Sequence, residues 1–494
     1  MDPLLVLNVR DDVGVALRPL TAGERVRGMT IKEPVPAGHK VALKAILPGQ
    51  PVYKYGHPIG LAKSSIEPGQ WVHTHNLTSG LKPEGSYVYE PVSTVLDQGS
   101  DELPTEFWGY VREDGRVGTR NEIWIINTVG CVNKTAERLA ALAEAQLAVD
   151  GVDGFFTFSH PYGCSQLGDD LAHTQKVLAA LVRHPNAAGV LVLGLGCESN
   201  RIADFARVVG PVSDRRVKYL TVQEVEDEWS VGLDLLTELR DYALSFRRQP
   251  VPVSRLTVGL KCGGSDGFSG ISANPLVGRV AERVVARGGT ALLTEVPEMF
   301  GAETLLMKRA RDEATFEKVV GLIDGFKQYY VSHQQPVYEN PSPGNKDGGI
   351  TTLEEKSLGC IQKGGQCPVM DVLGYADAAW QPGLNLVEAP GNDPVSVTAL
   401  VAAGAQVVLF TTGRGTPMGG PVPTVKISTN TALAQRKPQW IDFDAGRLFA
   451  GSDLDEMADE LYRWVIDVAS GRVKTRNEEW GFREIAIFKD GVTL

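Results

Sequence analysis

Apolar and polar positions along the chain change rhythm near residue 95. Before it, short β-prone runs are separated by recurrent turns: Thr21-Ala22-Gly23-Glu24, Pro36-Ala37-Gly38-His39, Pro48-Gly49-Gln50 and Pro68-Gly69-Gln70. Pro and Gly at such offsets specify tight turns, which predicts a compact all-β module over residues 1–95. The polar stretch DQGSDELPTE, residues 97–106, reads as a linker. Beyond it, apolar runs alternate with amphipathic stretches, and helices are predicted over residues 134–148, 170–183 and 231–246. Arg247-Arg248-Gln249-Pro250-Val251-Pro252 marks a second boundary. After it the pattern predicts strands over 256–260, 291–294 and 485–488, and helices over 275–286, 302–314, 317–332 and 454–469. Residues 336–368, rich in Gly, Pro and Asn, are too long for a plain connector and are expected to be functional or irregular. The predicted fold class is α/β: the all-β module, then two α/β domains with largely parallel sheets over residues 107–248 and 253–494.

Four apolar runs end in a cysteine and a polar turn. Residues 123–129 lead to Gly130-Cys131, and 155–158 lead through Ser159-His160-Pro161-Tyr162 to Gly163-Cys164. Residues 189–193 lead through Gly194-Leu195-Gly196 to Cys197, and 256–260 lead to Lys261-Cys262-Gly263-Gly264. A helix is predicted after each. In an open parallel sheet the C-terminal strand ends share an edge where ligands bind, so these groups are expected on one rim.

Bulk numbers narrow the class. The 494 residues suit about three domains. A net charge of -11 disfavours a nucleic-acid partner. Six cysteines in so long a chain are no disulfide framework and suit a reducing compartment. The first residues lack the pattern of a signal peptide, and the uncharged stretch 394–413 splits into the helix SVTALVAAG and the strand QVVLFTTG rather than one membrane span. The expectation is a cytoplasmic protein with no membrane partner.

Several constellations could carry chemistry. Alternation along a strand would set His73 and His75 on one face, as a pair for a divalent metal, unless one is exposed and the other bonded at a domain interface. The turn at Ser159–Gln166 combines His160, a base or ligand, with Cys164, whose thiol would be acidified at a helix N-terminus, or else is a structural turn. Gly263, Gly264 and Ser265 form a backbone-donor loop, and Arg414 beside Gly413 and Gly415 can grip a carboxylate. Arg120 and Asn121, in a turn with Arg116, are candidate substrate-binding residues, the alternative being a solvated salt bridge. Glu295 and Glu298 sit at a strand end as metal ligands or acid and base. Lys356 lies in the long segment. The third glycine of a dinucleotide fingerprint is missing after Gly194-Leu195-Gly196, so a nicotinamide cofactor is not expected.

Longer motifs resemble a known family. GYVREDGRVGTRNE, FSHPYGCSQLGDD, GLGCESN, KCGGSDGFSGISANP, LTEVPEMFGAE, YENPSPGNKDGGITTLEEKSLG and TTGRGTPMGGPVPTVKISTN are similar to segments of the altronate and galactarate dehydratases. The first module resembles their SAF (β-clip) domain. The resemblance implies a hydro-lyase that removes water from a small sugar acid, D-altronate giving 2-dehydro-3-deoxy-D-gluconate or, alternatively, galactarate. It also implies dependence on Fe(II) or Mn(II), and leaves open assembly into a homo-oligomer. His160 ranks first as the acid–base group, with Glu298 and Lys356 as alternatives. Two further readings stand beside it: an iron–sulfur hydro-lyase using Cys131, Cys164, Cys197 or Cys262 as cluster ligands, and a non-catalytic sugar-acid binding protein.

Overall fold

In the computed structural model, residues 2–81 and 86–494 are described. The N-terminal module is strand-rich. Leu4–Leu5, Val13–Ala16, Lys40–Ala42 and Trp71–Val72 form one antiparallel sheet, and Pro51–Lys54, His57–Ala62 and Leu77–Thr78 form a second. Its recurrent turns all place glycine at positive φ, between 79° and 84° at Gly23, Gly38, Gly49 and Gly69. At Gly69 a Cβ atom would lie 2.1 Å from the Thr30 carbonyl oxygen, so no other residue fits there.

The rest is α/β. A four-stranded parallel sheet runs in the order Phe155–Thr157, Glu122–Asn127, Ala187–Gly194, Val217–Thr221. A seven-stranded parallel sheet runs Val369–Leu373, Gly383–Val387, Thr290–Leu293, Thr257–Cys262, Val407–Thr412, Thr424–Ser428, Phe443–Asp444. Its first strand in sequence, Thr257–Cys262, is central, and the chain builds first to one side and then to the other. The order therefore reverses at the end of Thr257–Cys262, where an open α/β sheet forms its ligand crevice. The uncharged stretch is a buried helix, Asp393–Ala402, and a buried strand, Val407–Thr412. No helix among the described residues is long and apolar enough to cross a membrane.

Helices Gly168–Arg183 and Asp393–Ala402 pack side by side and share one apolar core. Both run from strand C-terminal ends back toward strand starts, and beyond their ends His184 Nε2 meets the Ala405 carbonyl at 3.1 Å. The two sheets thus present their C-terminal edges to the same side of the molecule. The four cysteine turns do not share one rim, however. Cys131, Cys164 and Cys197 stand on the smaller sheet, and Cys262 ends the central strand of the larger. Two adjacent α/β units read alike in sequence, since each repeats strand, turn and helix.

Two expectations from the pattern are corrected. Residues 336–368 are no open loop: they contain the helices Pro343–Asp347 and Leu353–Cys360, and every residue of the second is buried. A helix buried on all sides has no amphipathic period to read. Residues 485–488 pack as extended chain without sheet pairing, although Ile485 and Ile487 are buried.

Arg120 joins the smaller α/β unit to the chain's last helix. Its guanidinium reaches Glu478 at 2.7 and 3.0 Å, and also the Thr119 and Val468 carbonyls. Both partners are buried. Removing one member strands the other charge, so Arg120→Met should cost about 3–5 kcal/mol in urea denaturation. A loss below about 1 kcal/mol would show that water screens the pair.

Candidate active site

The crevice at the central strand end is filled with charge. Lys261 and Cys262 finish that strand, and both are buried. The neighbouring strand, Thr290–Leu293, runs into Glu295, whose backbone is left-handed at φ 68°. Such strain in a non-glycine residue persists where the surroundings over-determine it. Here the Glu295 carboxylate accepts from Lys261, from Lys363 at 3.1 Å and from the Cys262 N–H at 3.1 Å. Lys261 also pairs with Asp393 at 3.0 Å.

Glu298 lies one turn further, in the short helical turn Val296–Glu298. Its Oε1 meets Lys356 Nζ at 2.9 Å, and its Oε2 accepts from Cys360 Sγ at 2.9 Å. Cys262 Sγ stands 3.4 Å from the same oxygen, 3.3 Å from Cys360 Sγ and 2.9 Å from Lys363 Nζ. Lys356 donates further to Asn340 Oδ1 and Asn345 Oδ1, each at 3.0 Å. Burial by itself would neutralise Glu298, but Lys356, Lys261 and Lys363 outweigh it and hold the carboxyl well below its ordinary range. Lys356 is likewise buried, yet Glu298 keeps it an ammonium. The hydrogen bond with Cys262, then burial, push the Cys360 thiol well up.

Helix Leu353–Cys360 supplies Lys356 and Cys360, and its first turn faces the N-terminal module. Thr352 caps it, accepting from the Glu355 N–H. Glu354 accepts from Ser79 Oγ and the Gly80 N–H, while Glu355 binds Lys40 at 2.7 Å and Lys54 at 2.8 Å. Lys40 also donates to Thr351 Oγ1 and the Gly349 carbonyl. Burial pushes Lys40 down to about 8, despite Glu355. Burial would raise Glu355, but the two lysines bring it to about 2. A narrow cavity between the two parts is walled by Lys54 and Tyr55 on one side and by Ser265, Asp266, Lys356 and Cys360 on the other.

Glu298 and Lys356 thus lie at the centre. Gly263, Gly264 and Ser265 adjoin them: a Cβ at Gly263 would meet Asp393 Oδ2 at 2.4 Å, and the Gly264 carbonyl accepts from the Gly413 and Arg414 N–H groups. The N–H groups of Gly264 and Ser265 have no acceptor among the described residues. Arg414 is exposed, its Cβ 3.4 Å from where a Cβ at Gly264 would lie. His73 and His75 do not lie along one strand face, because the strand stops at Val72 and residues 73–76 turn, and both rings pack against Trp71. His73 stacks on Trp71 and meets Thr351 Oγ1 at 3.1 Å, burial then Lys40 lowering it to about 4, whereas His75 is exposed. His160, Cys164, Arg120 and Asn121 belong to the other unit. Both His160 ring nitrogens are engaged, with the Asn127 carbonyl at 2.9 Å and the Tyr162 N–H at 3.2 Å. Asn121 is spent on Arg112 and on the Gly151 and Ala243 carbonyls. Sequence reading missed Cys360, Lys363, Asn340, Asn345, Lys40, Lys54 and Glu355. A signal existed for Cys360 and Lys363, since a Glu-Glu-Lys run leading to Cys inside an apolar context is unusual for a surface loop.

Comparison with known proteins decides the family. Residues 253–493 match "D-galactarate/Altronate dehydratase, C-terminal", residues 109–244 match "D-galactarate dehydratase/Altronate hydrolase, second domain", and residues 2–80 match "Altronate/galactarate dehydratase SAF domain". The chain belongs to the galactarate/altronate dehydratase family. It is 50% identical to an altronate dehydratase of Escherichia coli K12, covering 99% of both chains. It is 49% identical to an altronate dehydratase of Bacillus subtilis 168 over the whole of both. A galactarate dehydratase (L-threo-forming) of Escherichia coli K12 is 33% identical, covering 98% of this chain and 96% of that protein.

The metal that the resemblance implies can be tested against these side chains. Cys262, Glu298 and Cys360 place two sulfur atoms and a carboxylate oxygen within 4.8 Å of one another, all buried. That donor set fits a divalent transition metal, and Lys363 beside Cys262 would offset thiolate charge.

Glu355 gives the acid stability of the docked module a definite sign. Its pKa falls from 4.5 to about 2 on folding. Its contribution is therefore full above pH 4.5 and is lost as pH drops through about 2. Glu355→Gln should flatten the fall in unfolding free energy across this window. An unchanged slope would assign acid unfolding to other carboxylates.

Proposed function

We propose that the protein is a metal-dependent hydro-lyase that removes water from D-altronate to give 2-dehydro-3-deoxy-D-gluconate. One observation carries the assignment to this site: a lysine ammonium and a carboxylate, 2.9 Å apart and flanked by two thiols, buried at the switch point of a parallel sheet. Identity of 50% and 49% to altronate dehydratases over nearly the whole chain, against 33% to a galactarate dehydratase, favours altronate over galactarate as substrate.

Cys262, Cys360 and Glu298 would hold the metal, and the two sulfurs favour Fe(II) over Mn(II). Bound there, it would supply Lewis-acid stabilisation of the enediolate, while Glu295, a crevice carboxylate not used as a ligand, takes the proton α to the substrate carboxylate. The unengaged N–H groups of Gly264 and Ser265 are donors for the substrate carboxylate, and Arg414 beside Gly264 adds a guanidinium. Lys356, kept charged by Glu298 and aimed by Asn340 and Asn345, gives its proton to the departing C3 hydroxyl. The docked module excludes water from the cavity side of Lys356. His160, bonded on both ring nitrogens in the other unit, is a less suitable acid–base group.

Anaerobically purified, Fe(II)-loaded protein should convert D-altronate to a 2-keto acid faster than it converts galactarate. A preference for galactarate would reassign the substrate, and binding of altronate without any keto acid would make this a sugar-acid binding protein. Lys356→Met should lower kcat by about 10²–10⁴-fold with the circular dichroism spectrum unchanged. Wild-type turnover in that variant would remove Lys356 from the proton path. Cys360→Ser should lower the metal content per chain, whereas a full complement of metal would remove Cys360 from the ligand set.

A further inference from the structure

The smaller sheet carries a second group of thiols that the altronate chemistry does not use. Cys131, Cys164 and Cys197 are free and exposed, each in the turn after one of three neighbouring parallel strands. Glu122–Asn127, which precedes Cys131, is the middle strand, with Phe155–Thr157 and Ala187–Gly194 on either side. Adjacent strands lie about 4.8 Å apart, so the three turns start close together, and hydrogen bonds then lock them. The Gly130 N–H donates to the Tyr162 carbonyl, and the Asn200 N–H donates to the Gly163 carbonyl. Glu198 Oε1 accepts from Thr128 Oγ1 at 2.6 Å and from the Leu195 N–H.

A glycine precedes each of these cysteines, and at Gly130 and Gly163 it is what permits the approach. A Cβ at Gly163 would lie 2.0 Å from the Thr128 carbonyl oxygen, and one at Gly130 would lie 2.6 Å from the His160 carbonyl oxygen. Shortly after each cysteine a helix begins, at Asn133, Gly168 and Ile202. Three helix N-termini around one rim turn backbone N–H groups toward an anionic group bound there.

The three thiols are not gathered as a single metal ion would require. Metal–sulfur bonds of about 2.3 Å would bring tetrahedral thiolates to within ~4 Å of one another. Among the described residues, Cys262, Glu298 and Cys360 meet a 4.8 Å limit, and these three thiols do not. A cuboidal cluster takes each thiolate on a separate iron, and so suits thiolates further apart than one ion allows.

We propose that Cys131, Cys164 and Cys197 bind a [4Fe–4S] cluster whose fourth iron has no protein ligand. Four cysteines ordinarily complete such a cluster. With three, the remaining iron faces solvent at this rim and is open to a small oxygen ligand such as water or a hydroxy acid. The site lies on a different sheet from Glu298 and stands or falls independently of the altronate reading.

Anoxic reconstitution of the full chain with equal ferrous and ferric iron and sulfide tests this by counting acid-labile sulfide, which the Cys262 centre does not hold. About four sulfides per chain are expected, with a broad sulfide-to-iron absorption band and protection of the three thiols from alkylation. Cys131→Ser, Cys164→Ser and Cys197→Ser should each cut sulfide incorporation at least tenfold, and Cys262→Ser should leave it unchanged. Since the three side chains are exposed, each variant should fold, which circular dichroism checks. No sulfide uptake by the native chain, or equal uptake by the triple serine variant, overturns the proposal. Metal retained by the three cysteines without sulfide overturns the cluster in favour of another metal site.

Discussion

Two opposite charges stand side by side in the interior on helix Leu353–Cys360, and much of the architecture answers to them. Glu355 and Lys356 are consecutive, buried and pointed at different partners. Leaving either unpaired would cost several kcal/mol, because the interior cannot solvate an ion as water does. Glu355 is satisfied from the N-terminal module by Lys40 and Lys54. Lys356 is satisfied from the body by Glu298. The helix is therefore bonded to both module and body, and the module is part of the site's wall rather than an appendage.

The same balance shapes the crevice. Lys261, Lys356 and Lys363 surround Glu295 and Glu298, with Asp393 at the edge. In a low-dielectric pocket these charges fix one another's protonation. Glu298 stays a carboxylate and Lys356 an ammonium, ready to act as ligand and acid. The left-handed Glu295 is held by three donors, so its strain is offset by hydrogen bonds that a relaxed backbone would lose. Those bonds also orient the Cys262 N–H, and with it the thiol that faces Glu298.

The two parallel sheets offer two rims, and their chemistry differs. The larger sheet encloses its polar groups: Cys262 and Cys360 are buried among lysines and carboxylates. The smaller leaves Cys131, Cys164 and Cys197 exposed at three strand ends. Helices Gly168–Arg183 and Asp393–Ala402 lie between the sheets and turn both edges the same way, yet the burial of one rim and the openness of the other suit them to different ligands.

Local rules settled much in advance. The four positive-φ turns of the module, the strand–turn–helix repeats and the split of residues 394–413 into helix and strand follow from turn residues and hydrophobic period, which act over a few positions. The resemblance of whole motifs likewise needed no geometry. Glu298 and Lys356 were visible as unusual residues near glycine-rich turns. What local rules could not supply was which strand ends meet: four cysteine turns with the same local grammar went to two sheets, and the strand that would have carried His73 and His75 stopped at Val72. Helix Leu353–Cys360 was hidden for the same reason, since burial on every face erases the period that reveals a helix. The pairing of Glu355 with Lys40 and Lys54 spans some 300 residues, and Cys262 meets Cys360 across 98. Such contacts depend on long-range packing of one domain on another, where desolvation and charge pairing are decided, and only the tertiary structure fixes them.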